Sequence, residues 1–208
     1  MTQESKKLLM IIGNSNVGKS SITRLLLPKK QYKGKTGKTP GSTLLIKKIS
    51  SPELPFQIVD LPGFGYMRKT SKRREEHIKQ KMVKHIEKNH RDYFLGLVVL
   101  NILRIEDELD KYFIEKTHTI PLSFELITFL REFEIPVLVI VNKIDKVSIF
   151  DIKRILDFLI KAARQYGLTL IPIEDFQNDY SIEIPYLKFS ALNGENLGKL
   201  KEEIYKIL

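Results

Sequence analysis

Short apolar runs alternate along this chain with stretches in which apolar residues recur at helical spacing. Leu95–Leu100 is apolar throughout, as expected for a strand buried on both faces of a parallel sheet. In Ser148–Tyr166, by contrast, apolar residues recur every three or four positions, as in an amphipathic helix. The predicted strands are Lys7–Ile12, Thr43–Ile49, Phe56–Val59, Leu95–Leu100, Val137–Val141 and Leu187–Phe189. The predicted helices are Gly18–Leu27, Thr70–Asn89, Leu122–Phe133, Ser148–Tyr166 and Glu195–Leu208.

The alternation of strands and helices predicts the fold class. It favours an α/β architecture of three layers, in which a mostly parallel six-stranded sheet carries helices on both faces. The length of 208 residues suits a single domain that spans residues 1–208. Arg104–Pro121 and Leu168–Ile184 fit the alternation poorly, and we interpret both segments as surface insertions, with room for some local structure within them.

A glycine-rich motif follows the first predicted strand and opens the first predicted helix. It spans Gly13–Ser20 and matches the full P-loop pattern in the context that this motif requires. Its glycines let backbone N–H groups face phosphates, and the helix start adds its dipole. Lys19 would reach the β- and γ-phosphates of a nucleotide, and the Ser20 hydroxyl would bind Mg²⁺. The nucleotide-binding residues predicted here are Gly13, Asn14, Ser15, Asn16, Val17, Gly18, Lys19, Ser20 and Ser21.

A second motif, DLPG, follows the predicted strand Phe56–Val59. Its strand-end residue Asp60 is placed to join the Mg²⁺ shell through water, and the Gly63 N–H would sense the γ-phosphate. By itself this tetrapeptide is equally compatible with a turn, but its position behind a strand and a P-loop favours a nucleotide site. The predicted binding residues in this motif are Asp60, Leu61, Pro62 and Gly63.

Two further motifs concern the base. Asn142-Lys143-Ile144-Asp145 follows a predicted strand, and the Asp145 carboxylate would accept hydrogen bonds from N1–H and the N2 amino group of guanine. Adenine offers neither donor, so the motif predicts preference for GTP over ATP. After the strand Leu187–Phe189, a backbone N–H of the Ser190-Ala191 turn would meet guanine O6.

The loop between the first helix and the second strand is expected to supply a switch threonine. Its candidates are Thr36, Thr39 and Thr43, whose hydroxyl would join Mg²⁺ and whose N–H would meet the γ-phosphate. Thr43 lies just before a strand, which is the position that best suits this role.

Charge is concentrated in one segment. The formal net charge is +10, and residues 67–91 hold ten Lys or Arg against three acids. This basic 67–91 segment favours a polyanion such as RNA, although a lysine-rich solvated helix face is the alternative. We interpret its histidines, His77, His85 and His90, as solvent-facing. The chain has no cysteine and no apolar run long enough for a membrane span, so we expect a cytoplasmic protein.

With these motifs in place, the chain resembles the EngB (YihA/YsxC) family of the TrmE-Era-EngA-EngB-Septin-like P-loop GTPases. The stretches that carry the resemblance are GNSNVGKSS, KTPGST, DLPGFGYMRK and NKID followed by Lys146. It covers nearly the whole chain and implies a Ras-like G domain, with GTP or GDP and Mg²⁺ as ligands and GTP hydrolysis as its activity. In this G domain, residues 6–27 form the first strand, P-loop and first helix, residues 29–44 are switch I, and residues 60–91 are switch II with the basic helix.

The resemblance also implies a site and a role. Lys19, Thr43 and Gly63 become the catalytic residues, and Ser20 and Thr43 hold Mg²⁺. GTP-binding positions are added at Gly41, Ser42, Thr43, Phe189, Ser190 and Ala191. The implied role is assembly of the large ribosomal subunit, and the family is also described in terms of cell division and septation. We expect the protein to be a monomer. Ile144, where bacterial members often carry Ala, and the long segments 104–121 and 168–184 depart from the family pattern.

One absence bears on catalysis. Ras-type enzymes carry a glutamine after the DxxG glycine, and Phe64 at that position cannot orient a water. We therefore expect slow intrinsic turnover, completed by a partner group or by K⁺. Asn16 is the candidate K⁺ ligand, unless it only caps the loop. Two other classes stay open, namely a switch that acts on a protein effector without RNA contact and an ATP-using kinase.

Overall fold

The computed structural model describes residues 6–28, 46–63, 72–114 and 120–208. The strands are β1 Leu8–Gly13, β2 Lys47–Ser50, β3 Gln57–Asp60, β4 Tyr93–Asn101, β5 Val137–Asn142, β6 Leu170–Pro172 and β7 Ile184–Phe189. The helices are α1 Lys19–Leu26, α2 Lys72–Asn89, α3 Ile102–Ile114, α4 Leu122–Glu132, α5 Ile149–Gln165 and α6 Leu197–Ile207. Single 3₁₀ turns follow α2 and β5, at His90–Asp92 and Ile144–Lys146.

The strands form one sheet in the order β2-β3-β1-β4-β5-β7-β6. Its pairings are parallel, except that β2 runs antiparallel to β3. The α/β fold and the mostly parallel sheet are thus confirmed, but the described residues hold seven strands rather than the predicted six. The additional strand is β6, a three-residue edge strand that pairs with β7. Its Pro172 is tolerated because an edge strand does not need every N–H for pairing.

Successive side chains of β1 point to opposite faces of the sheet and enter different cores. Leu8, Met10 and Ile12 belong to one buried cluster, and Leu9 and Ile11 belong to the other. The first cluster is covered by apolar side chains from α2, α3, α4 and α5, and the second by those of α1 and α6. The three-layer prediction is therefore confirmed. No helix within the described ranges is long and apolar enough to cross a membrane.

Both segments that we predicted to be surface insertions contain regular structure. Helix α3 occupies much of Arg104–Pro121 and buries Ile105 and Leu109 against the sheet. The surface interpretation is wrong for this helix, because its apolar face belongs to the main core. The second segment, Leu168–Ile184, also contains regular structure, because strand β6 lies within it. Whether the two segments are insertions relative to other family members stays a prediction.

The basic helix α2 is amphipathic. Ile78, Met82 and Ile86 are spaced four residues apart and lie in the core. His77 is exposed as predicted, but the same expectation is wrong for His85, whose Nε2 lies 2.9 Å from the Tyr93 hydroxyl. Burial is the main cause that lowers the pKa of His85, and the Lys48 charge adds to it. His90 is also partly buried, with Nδ1 2.8 Å from the Glu87 carbonyl oxygen.

Candidate functional site

The carboxyl ends of four strands bring the predicted motifs to one edge of the sheet. Gly13 ends β1, Asp60 ends the neighbouring β3, and Asn142 ends β5 next to Phe189 of β7. In open α/β sheets, ligands bind at this edge because the loops that leave parallel strands converge there. The predicted P-loop, DLPG, NKID and Ser-Ala segments therefore form a single site, although they are far apart in the sequence.

Two P-loop glycines are required by the packing of the protein itself. A Cβ on Gly13 would lie 2.3 Å from the Val99 carbonyl oxygen, and a Cβ on Gly18 would lie 2.1 Å from Asn142 Nδ2. Both glycines also have positive φ, of 146° and 110°. Any larger residue would push the loop off β4 or off the NKID segment. The glycines thus let the P-loop approach its neighbours closely.

The P-loop is held from the side of the NKID segment by two side chains. Asn142, which is almost completely buried, donates from Nδ2 to the Val17 carbonyl oxygen at 2.7 Å. Lys143 Nζ donates to the Asn16 carbonyl oxygen, also at 2.7 Å. Burial, and next the Arg104 charge, lower the pKa of Lys143, while Asp145 raises it. Asn16 adopts left-handed backbone with φ of 64°, which Asn tolerates better than most residues.

The side chain of Lys19 folds back over the loop. Nζ donates to the carbonyl oxygens of Gly13 at 3.0 Å and Asn14 at 2.7 Å, and the residue is 7% exposed. Burial lowers the pKa of Lys19 to about 8, and the nearby charge of Asp60 partly opposes this shift. The ammonium group thus lies inside the P-loop, where an anionic ligand would relieve the cost of its burial.

A carboxylate and a hydroxyl meet beneath the loop. Ser20 Oγ donates to Asp60 Oδ2 at 3.4 Å, and the buried Oδ1 of Asp60 has no hydrogen-bond partner among the described residues. Burial raises the pKa of Asp60, whereas Lys19, Lys47 and the Ser20 hydrogen bond lower it. An unpartnered buried carboxylate oxygen is costly. Hydroxyl and carboxylate oxygens are also the ligands that Mg²⁺ prefers, so these residues fit a magnesium ion and its waters.

The DLPG motif lies directly against the P-loop. A Cβ on Gly63 would come within 2.8 Å of Ser15 Oγ and 2.9 Å of Ser15 N and Cα. The Leu61 N–H donates to the Ile11 carbonyl oxygen at 3.1 Å, which ties the start of the motif to β1. Gly63 therefore packs closely against Ser15 of the P-loop.

The predicted base-reading residues meet at the other end of the site. Asp145 Oδ1 accepts a 2.6 Å hydrogen bond from the Ser190 hydroxyl, which is the main cause that lowers the pKa of Asp145. Asp145 Oδ2 makes no hydrogen bond of good geometry in the described residues, although Lys146 Nζ lies 3.3 Å away. The carboxylate is thus fixed in direction by Ser190 and keeps an oxygen for a ligand. Ser190 itself is fully buried.

The predicted N–H donor of the Ser190-Ala191 turn is engaged within the protein. Ala191 N–H donates to Asn142 Oδ1 at 2.9 Å. The next two N–H groups, of Leu192 and Asn193, approach Ser190 Oγ at 3.3 and 3.4 Å. The contact of this turn with guanine O6 stays a prediction.

Not every predicted site residue presents its side chain to this edge. The side chains of Val17, Leu61 and Phe189 are buried in the two cores and can offer the site only backbone groups. Gly41, Ser42, Thr43, Phe64 and the alternative threonines Thr36 and Thr39 lie outside the described residues. Residues 67–71, the first part of the basic 67–91 segment, lie outside them as well.

Sequence reasoning missed Glu108 of α3. Its Oε2 accepts a hydrogen bond from Asn14 Nδ2 in the P-loop at 3.2 Å. A signal was present, because Ile102, Ile105 and Leu109 follow helical spacing and predict a core-facing helix in the segment that we interpreted as a surface insertion. Lys47 of β2 was missed as well, and its charge acts on Asp60 across the β2–β3 pair.

A P-loop, a strand-end DxxG and an NKxD segment, gathered on this fold, define a P-loop GTPase. The family model described as 50S ribosome-binding GTPase matches residues 8–143. A probable GTP-binding protein EngB of Pyrococcus abyssi is 32% identical over 200 residues, which cover 96% of this chain and 85% of that protein. Its counterpart in Methanosarcina barkeri is 34% identical over 149 residues, 72% of this chain and 68% of that protein.

A solved structure supports the same family assignment. The crystal structure of a probable GTP-binding protein EngB superimposes with a TM-score of 0.75 at 30% identity, covering 96% of this chain and 97% of that one. The chain therefore belongs to the EngB family of GTP-binding proteins, within the P-loop GTPases. The resemblance predicted from the motifs is confirmed.

Proposed function

We propose that this protein is a GTP-dependent switch that binds RNA of the large ribosomal subunit and acts in its assembly. The observation that carries the proposal is the basic face of α2, which begins shortly after the nucleotide-sensing motif that ends at Gly63. Lys81, Lys84 and Lys88 of α2 are exposed, and so is Arg91 in the 3₁₀ turn that follows the helix. The spacing of three and four residues places the three lysines on one side of α2, opposite its buried apolar side. A stripe of exposed basic side chains on one helix face favours contact with a polyanion such as RNA.

The nucleotide site supplies the switch in this proposal. Lys19 leaves its carbonyl partners for the β- and γ-phosphates, and Asp145 binds N1–H and the N2 amino group of guanine. Ser20 and Thr43 would hold Mg²⁺ directly, and Asp60 would hold it through a water molecule. A bound Mg²⁺ supplies positive charge that offsets the charge of the phosphates. The Gly63 N–H senses the γ-phosphate, and its close approach to Ser15 supports this role.

We further propose that intrinsic hydrolysis is slow and that K⁺ stimulates it. Phe64 cannot orient the attacking water, so another element must complete the catalytic site. A K⁺ ion near the phosphates would contribute positive charge that stabilises the transition state. Asn16 supports the K⁺ hypothesis because its side chain is exposed and makes no hydrogen bond among the described residues, which disfavours loop capping. We expect faster GTP hydrolysis in K⁺ than in Na⁺ at equal ionic strength. Equal rates in the two salts would refute the K⁺ hypothesis.

Co-sedimentation with ribosomal subunits tests the main proposal. Purified protein is centrifuged with each subunit, in a non-hydrolysable GTP analogue or in GDP, over a series of salt concentrations. We expect binding to the large subunit in the GTP-like state, weakening steeply with salt as lysines release counterions. Absence of binding in both states, with GTP affinity intact, would refute the RNA role and leave the nucleotide chemistry standing.

A matched pair of variants isolates the basic face. Replacing Lys81, Lys84 and Lys88 with Ala removes three exposed charges from α2, and replacing Lys153, Lys161 and Arg164 with Ala removes three exposed charges from α5. We expect the α2 variant to lose subunit binding and to show a shallower salt dependence. If the basic face of α2, and not the total charge of the protein, is responsible for binding, the α5 variant keeps both the subunit binding and the salt dependence of the wild type.

A second candidate function is a switch that acts on a protein effector, as in the cell-division description of the family. It is favoured by Ile149 and Phe150, which are 79% and 84% exposed at the start of α5, close behind the NKID segment. Exposed apolar side chains of this size favour protein contact. Loss of function in a Phe150→Ser variant that retains subunit binding would favour this candidate. In both cases we propose a cytoplasmic monomer.

A further inference from the structure

A single side chain of α3 connects the P-loop to α4. Glu108 Oε2 accepts from Asn14 Nδ2 at 3.2 Å, and Glu108 Oε1 accepts from the Ser123 N–H at 3.3 Å. Ser123 lies in the first turn of α4, where helix geometry leaves N–H groups without an intrahelical partner. A carboxylate is also favourable at that helix terminus. The Glu108 carboxylate therefore bridges two N–H donors on two separate elements.

Asn14 connects Glu108 to the P-loop lysine. The side chain of Asn14 is hydrogen-bonded to Glu108, and the backbone carbonyl oxygen of Asn14 accepts the 2.7 Å hydrogen bond from Lys19 Nζ. A carboxylate can only accept, so the Asn14 amide must present its NH₂ to Glu108. Its Oδ1 is consequently left buried without a partner among the described residues. Such an orphaned acceptor is unfavourable, so the Glu108 contact must keep the amide in place.

A small pocket beside the bridge is lined by residues of both α3 and the P-loop. Its polar lining includes Asn14, Asn101, Arg104, Glu108 and Ser123. Among the described residues, the Glu108–Asn14 contact is the hydrogen bond that joins α3 to the P-loop. A displacement of α3 or of the α4 terminus would therefore reach the P-loop through this carboxylate.

We propose that Glu108 is a positioning residue for the P-loop, through which the position of α3 and α4 governs how fast nucleotide leaves the site. Glu108 does not contact the nucleotide in this proposal. It acts through Asn14, whose backbone carbonyl oxygen helps to position Lys19. The inference rests on the proposed nucleotide site at Gly13–Ser20. It assigns a regulatory role to the segment that contains α3.

Stopped-flow measurement of fluorescent GDP release from the full-length protein tests this role. We expect Glu108→Ala to speed release at least about fivefold, the lower end of typical coupling between sites. Glu108→Gln should fall between this variant and the wild type, because an amide has one acceptor oxygen for two N–H donors. The matched control is Glu106→Ala, which removes the carboxylate that pairs α3 with Arg154 of α5 and does not touch the P-loop.

A double-mutant cycle separates positioning from general destabilisation. If Glu108 acts through Asn14, the Asn14→Ala and Glu108→Ala double variant releases GDP no faster than the faster single variant. Additive effects, equal acceleration by Glu106→Ala, or wild-type release from Glu108→Ala would each overturn the inference. Failure of the wild type itself to bind GDP would instead refute the proposed nucleotide site, so the two failures are distinguishable.

Discussion

The side chain of Asn142 holds three parts of the site together, and its removal should weaken the protein even without nucleotide. Nδ2 donates to the Val17 carbonyl oxygen at 2.7 Å, and Oδ1 accepts from the Ala191 N–H at 2.9 Å. The residue is 1% exposed, so water cannot replace either bond without rearrangement. Asn142→Ala would leave one backbone carbonyl and one backbone N–H without these partners.

The expected loss follows from the two orphaned groups. Each buried polar group that loses its partner costs about 1–3 kcal/mol, which gives about 2–6 kcal/mol for two groups. Because the Ala191 N–H is only partly buried, we expect the lower half of this range, a fall of about 3 kcal/mol in the free energy of unfolding. For a chain of this size, 1 kcal/mol corresponds to roughly 2–4 °C in Tm, which predicts a decrease of about 6–12 °C.

The measurement is thermal and urea unfolding of nucleotide-free protein, because a bound nucleotide would add its own stabilisation. The matched control is Asn193→Ala, which removes an exposed Asn whose Oδ1 accepts from the Glu195 N–H at 3.0 Å. We expect this control to lose less than about 1 kcal/mol, as for a solvent-accessible hydrogen bond. If Asn142→Ala lost no more than the control, the bridging role of Asn142 would be wrong.

Three further predictions concern single positions. Asp145→Asn should shift preference from GTP toward XTP, whose extra carbonyl oxygen can accept from the amide; unchanged preference in a nucleotide competition assay would contradict the base-reading role. Gly63→Ala should weaken a GTP analogue about tenfold more than GDP in fluorescence titrations, since its Cβ would lie 2.8 Å from Ser15 Oγ; equal losses would count against γ-phosphate sensing. Because burial holds the pKa of His85 below its ordinary 6.5, the unfolded chain binds more protons below that pH. The free energy of unfolding should therefore fall as pH drops from 7 through 6.5 and below, and His85→Gln should reduce this pH dependence. Identical pH profiles of stability for the wild type and the variant would refute the role of His85.

The sequence by itself determined the class of fold and the chemistry of the motifs. Short, continuously apolar runs such as Leu95–Leu100 predict buried parallel strands, and the glycine pattern of Gly13–Ser20 predicts a sharp loop between strand and helix. Asp60, Asn142 and Ser190 follow such strands directly, so the shared edge of the sheet could be expected from local pattern alone. These features depend on residues close together in the chain.

The tertiary structure decided which groups touch. Val17 and Asn142 are 125 residues apart and meet only because β1, β4 and β5 are neighbours in the sheet. Three-residue β6 is too short to carry a periodic signal and gains its strand conformation from pairing with β7. Glu108 is one of several acids on α3, and only the packing of that helix beside the P-loop distinguishes it from the others. Contacts across elements depend on strand order and helix placement, which local propensity does not specify.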